Sequence, residues 1–180
     1  MSTQRGEPTG STQRVPIQLQ RLPEMSADEH LRRLRADVET LLEVQLHGWS
    51  DEAWEPLASA LVEYGGGVIR GWMHTRLIFE EAARGGFGKV RRCPDSWLDD
   101  DTIEELTGET VAKALNYFKY EVLMANRWDA SRGASLATFF IGQCKRQFAN
   151  VYRAWFNDLE RSQPWGADSS AVDVSRRAGD

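Results

Sequence analysis

Residues 103–122 read IEELTGETVAKALNYFKYEV, and residues 135–155 read SLATFFIGQCKRQFANVYRAW. In the first stretch Ile103, Leu106, Thr110, Val111, Ala114, Leu115, Phe118 and Val122 recur at helical intervals, while Glu104, Glu105, Glu109, Lys113 and Lys119 fall mostly off that stripe. In the second, Leu136, Phe139, Phe140, Cys144, Phe148, Val151, Tyr152 and Trp155 do the same. A period of about 3.6 residues places such positions on one helix face. The acidic run Asp99-Asp100-Asp101 opens the first helix, where negative charge complements the helix dipole. Ser135 is an N-cap for the second. Between them, the residues from Trp128 to Ser135 form a short turn. Asp129 can accept backbone amides there, and Gly133 can supply a backbone shape that other residues resist. If the two stripes share one core, the helices pack on each other.

Outward from this pair, the same period continues. Trp54, Leu57, Leu61, Tyr64, Val68 and Trp72 predict a helix after Ser50. Gly65-Gly66-Gly67 lies inside it, at a cost of roughly 1 kcal/mol per glycine relative to Ala. This predicts either a helix break or a second backbone packed close. A phosphate-binding loop would need a following Gly-Lys-Ser/Thr, which is missing. Further back, Ser26 with Glu29 makes a capping-box pattern, and Leu31, Leu34, Val38, Leu41, Leu42 and Leu46 form a stripe opposite charged residues. That amphipathic helix is either a core-facing element or a partner-binding arm. The stretch from Gly85 toward Asp99 predicts a solvated loop, with Lys89, Arg91 and Arg92 as basic residues. No segment alternates with a period of two. The expected fold is all-α: a tail over residues 1–25, an amphipathic helix over 26–50, a helical domain over 51–161 and a second tail over 162–180, both tails polar and disordered.

Composition narrows the function. The 180 residues carry a net charge of −5, so a uniformly basic nucleic-acid coat is excluded and any DNA contact must be local. Within residues 127–161, however, six cations face three acids, with Trp128, Phe148, Tyr152, Trp155 and Phe156 interleaved. Lys145, Arg146, Asn150 and Arg153 fall on or beside one helix face, where cations can follow phosphates and the Asn150 amide can reach a base edge. Arg127 and Trp128 extend this candidate set. The three histidines, His30, His47 and His74, are in separate segments, and Cys93 and Cys144 make no metal spacing. No nucleophile motif is present, so neither enzyme chemistry, a metal nor a cofactor is expected. With no apolar run of about 18–20 residues and no signal-peptide pattern, a cytoplasmic chain with no membrane partner and reduced thiols is expected.

Two segments together resemble region 2 of the sigma-70 family of RNA polymerase sigma factors, especially its small extracytoplasmic-function type. Glu104-Glu105-Leu106-Thr107-Gly108-Glu109-Thr110-Val111-Ala112-Lys113-Ala114-Leu115 is similar to that family's acidic-Leu-Val-Gln-Glu-Thr-Phe helix. Trp128-Asp129-Ala130-Ser131-Arg132-Gly133-Ala134-Ser135-Leu136-Ala137-Thr138-Phe139-Phe140 is similar to its Phe-Asp-Pro-x-Arg-Gly turn and the helix start that follows. Gly108 stands where the family usually has Gln, and Ala130 where Pro is common. The resemblance implies a helical promoter-recognition protein that docks on the β′ clamp coiled coil of core RNA polymerase and captures the non-template single strand of the −10 element. Glu104, Glu105, Glu109 and Lys113 would then bind polymerase. Arg127, Trp128, Lys145, Arg146, Asn150 and Arg153 would bind DNA. About nineteen residues follow Arg161, too few for the family's region 4 helix-turn-helix, so the expected partners include a separate region 4 chain or an anti-sigma factor. The alternative is a helical regulator with this fold that binds polymerase or another protein without reading promoters.

Overall fold

Local capping chemistry sets where the helices begin. In the computed structural model, which describes residues 26–88 and 90–162, Ser26, Ser50 and Asp99 accept the amides of Glu29 (3.2 Å), Ala53 (3.4 Å) and Thr102 (2.8 Å). The hydrogen bonds from Thr102 also hold the Asp99 carboxyl below its usual range. The helices are α1 (Ala27–Leu46), α2 (Asp51–His74), α3 (Leu77–Arg84), α4 (Asp100–Tyr117) and α5 (Leu136–Ser162), and no strand occurs among the described residues. A π-helical turn, Phe118–Leu123, prolongs α4, and 3-10 turns lie at Asp95–Trp97 and Ala130–Arg132. The expected tails at 1–25 and beyond Ser162, and Lys89, lie outside the described residues.

The α4 and α5 stripes do face each other, and α2 packs across both. Leu106, Ala114, Phe118, Phe140, Cys144 and Phe148 are fully buried at this junction, and the Phe118 and Phe140 rings are 5.4 Å apart. Burial of each large side chain contributes about 1.5–3 kcal/mol. It also pushes the Cys144 thiol up to about 12. Short α3, too brief for periodicity to reveal, closes one side through Ile78 and Phe79; the Phe79 ring stands edge-on to Tyr152 at 5.2 Å.

Three expectations need correction. The buried line of α2 runs through Trp54, Leu61, Gly65, Ile69 and Met73, one residue away from Tyr64, Val68 and Trp72, and Tyr64 is 50% exposed. Gly65 decides this: a Cβ there would lie 2.7 Å from Cε1 of Phe140. The helix is unbroken through the triple glycine, and its close neighbour is a ring instead of a backbone. Gly66 and Gly67 face open space.

In α1, Leu34, Leu41 and Val44 are buried, but Leu31, Leu42 and Leu46 are exposed, Leu46 to 85%. The helix is rotated so that Asp37 reaches the start of α5, where Oδ2 accepts the Leu136 amide at 2.8 Å. Burial there raises the Asp37 carboxyl above its ordinary value.

The loop after α3 is anchored and not merely solvated. The Cys93 amide donates to the Tyr152 hydroxyl at 3.0 Å. Arg91 pairs with Glu160 at 2.8 Å above the Phe156 ring, and Arg92 lies 5.6 Å over Phe79.

Candidate nucleic-acid interface

The turn between the π segment and α5 is built from its own side chains. Asp129 Oδ1 accepts the Ser131 amide at 2.9 Å, which holds the Asp129 carboxyl below its usual range. Gly133 adopts φ +80°, a left-handed conformation that a side chain would strain. Ser135 caps α5 by accepting the Thr138 amide at 3.1 Å, and its hydroxyl bonds that of Thr138 at 2.9 Å. Arg132 stays exposed, 3.8 Å from Asp129. The chain thus reverses sharply and lays α5 back along α4.

Trp128 belongs to this scaffold. It is 8% exposed, and its Nε1 donates to the Ala134 carbonyl at 2.9 Å. With its face in the core and its polar edge bonded, the ring offers no stacking surface, so the expected DNA contact at Trp128 is corrected to a structural role. Arg127, one residue earlier, is exposed and 4.0 Å from Glu121.

On α5, Arg146 and Asn150 are exposed on the outer face, as the spacing predicts. The Arg146 guanidinium lies 5.3 Å over the Tyr117 ring, and its Nη1 donates to the Tyr117 hydroxyl at 3.3 Å. The other two cations are engaged inside the fold. Lys145 is partly buried, with Nζ 3.3 Å from Glu81 and 6.0 Å from the Trp72 ring centroid. Arg153 donates Nη2 to the Phe87 carbonyl. A long cation released to phosphate would have to give up those contacts, so Arg146 and Asn150 are the accessible part of the predicted stripe.

The acidic face divides as well. Glu104 turns toward α2, where Arg70 Nη2 donates to it at 2.6 Å; this bond pulls its carboxyl below the ordinary range. Glu105, Glu109 and Lys113 are exposed and four residues apart along α4, with Lys113 Nζ 2.6 Å from Glu109. Three of the four predicted polymerase-binding residues therefore share one accessible helix face.

The structure also assembles residues that the sequence did not flag. Asn116 and Tyr117 of α4, Tyr120 and Glu121 of the π segment, and Gln147 of α5 border one open groove next to Lys113. In sequence the two tyrosines look like ordinary helix-surface residues, and no local signal joins them to Gln147. No family model, curated protein or solved structure matches this chain.

Proposed function

We propose that the chain is a sigma-factor-like transcription initiation protein that binds core RNA polymerase and recognises or melts the promoter −10 element. The supporting observation is the turn from Trp128 to Ser135, where the residues carrying the resemblance each have a physical task. Asp129 ties the turn, Gly133 takes the left-handed conformation, and Thr138 joins Ser135 in the cap. Beside that turn, an accessible Glu105–Glu109–Lys113 face lies on α4 and an accessible Arg146–Asn150 stripe on α5. The first suits the polar docking surface of a coiled coil, since rim charges steer encounter and fix specificity. The second suits single-strand capture, with a cation near phosphate and an amide near a base edge.

The test is pulldown with core polymerase, followed by run-off transcription. Wild-type chain is retained, and the double variant Glu105→Lys with Glu109→Lys is lost at low ionic strength, with a smaller difference as salt screens the charges. Normal retention of the double variant would place docking elsewhere, and no retention of the wild type would end the proposal. A second function, a regulator that binds polymerase without reading promoters, is favoured by the internal engagement of Lys145 and Arg153. Equal affinity of the polymerase-bound chain for −10-like and scrambled oligonucleotides would select it.

A further inference from the structure

Helix α1 carries an apolar stripe that the core leaves uncovered. Leu31 and Leu42 are half exposed, and Leu46 is 85% exposed. Leu31 and Leu42 are about three helical turns apart and Leu46 follows one turn later, so all three lie on one side of the helix. Val38, partly buried, stands between them and joins the stripe to the core. A single leucine on a surface needs no explanation, but a line of them along a 20-residue helix marks an interaction surface. The flank of the stripe is ordered by charge. Arg32, Arg35, Glu39 and Glu43 are all exposed and follow one another at spacings of three and four. The first half of this flank is basic and the second half acidic. None of the four has an ion pair among the described residues.

We propose that α1 is a homodimer interface, in which two copies of the chain pair antiparallel along this stripe about a two-fold axis. Leu31 of one copy meets Leu42 of the other, and the two Val38 side chains lie near the axis. Arg35 then faces Glu39 of the second copy and Arg32 faces Glu43, and the symmetry repeats every pair. Charged flanks of a helix pair set its partner and orientation. A parallel pair would set arginine against arginine and glutamate against glutamate. An anionic lipid surface would favour a flank of one positive sign, and this one reverses halfway. The leucines supply the affinity, while the exposed ion pairs mainly fix the orientation. One helix pair is a small interface, so the association is weak and concentration-dependent. None of these residues belongs to the α4 and α5 surfaces assigned above, and the pairing does not depend on the transcription reading.

The test is sedimentation velocity of the full chain over a dilution series reaching roughly 100 µM, well above a micromolar Kd. Wild type should pass from monomer to dimer across the series. Leu42→Glu should raise the dimer Kd by roughly 10- to 150-fold, which corresponds to half of a leucine's burial lost at two symmetric places. Leu42 is half exposed, so the variant's circular dichroism spectrum and urea midpoint should stay those of wild type. Arg35→Glu should weaken the dimer severalfold, and adding Glu39→Arg should restore it, a rescue that parallel pairing does not give. Disulfide trapping reads the orientation, since both native cysteines are buried. Leu31→Cys chain mixed with Leu42→Cys chain should give mainly the mixed disulfide. A wild type that stays monomeric throughout would overturn the pairing and leave the stripe to a different protein. Dimers that Leu42→Glu does not weaken, or Leu42→Cys chains that cross-link preferentially to themselves, would overturn it as well.

Discussion

Two alanine substitutions, two residues apart on α2, should move stability in opposite directions. At Gly67 a new Cβ meets nothing within 4 Å, so Gly67→Ala only removes the glycine penalty and stabilises the helix by roughly 1 kcal/mol. At Gly65 the same Cβ lies 2.7 Å from Cε1 of Phe140. That ring cannot swing away freely, because Phe140 is fully buried and packs against Phe118 at 5.4 Å. Overpacking of this kind costs about 1–3 kcal/mol, partly offset by the same helix gain, which leaves Gly65→Ala neutral to about 2 kcal/mol less stable than wild type. The pair should differ by about 1–3 kcal/mol. Urea denaturation followed by far-ultraviolet circular dichroism reads this directly, with an unchanged slope showing that the unfolded state is not responsible. Thermal midpoints should separate in the same order, by roughly 2–6 °C per kcal/mol. If Gly65→Ala were as stabilising as Gly67→Ala, α5 would not cross α2 at this notch. If Gly67→Ala were destabilising, position 67 would be covered.

Asp37→Ala should cost about 1 kcal/mol, because it removes the acceptor that caps the Leu136 amide, while Asp37→Asn should keep the cap. Since burial raises the Asp37 carboxyl above 3.8, the folded chain binds that proton more readily than the unfolded one. Its contribution to stability therefore falls as pH rises through the raised value, and Asp37→Asn should abolish that slope in denaturation curves measured across the acid range. A wild-type-like Asp37→Ala variant would show that α1 is not held there. The Cys144 thiol, with its pKa pushed up to about 12, should resist iodoacetamide at neutral pH until the domain opens, so its alkylation rate should follow denaturant. Rapid alkylation under native conditions would contradict its place in the core.

Sequence alone determined what depends on near neighbours. The α4 and α5 stripes, the caps at Ser26 and Ser135, the helix starts after Ser50 and at the Asp99 acidic run, and the Asp129–Gly133 turn all rest on residues a few positions apart. Hydroxyl or carboxylate caps and 3.6-residue periodicity act at that range. The rotational setting of a helix is less well determined. Adjacent residues are about 100° apart, so Tyr64-Val68 and Gly65-Ile69 describe equally regular stripes, and only the arrival of Phe140 from α5 selects the second. The half-exposed stripe of α1 follows the same logic, since Asp37 meets a helix end that is 99 residues away in the chain. The polar site was the least legible. Lysine and arginine side chains reach far and choose partners across elements: Lys145 takes Glu81, Arg153 takes the Phe87 carbonyl, and Arg146 takes Tyr117. Trp128 packs in the core through its apolar ring, and the Ala134 carbonyl satisfies the indole N–H there. The groove at Tyr120 exists only because a π turn and two antiparallel helices bring Asn116 and Gln147 to one surface, an arrangement that no spacing within a single helix encodes.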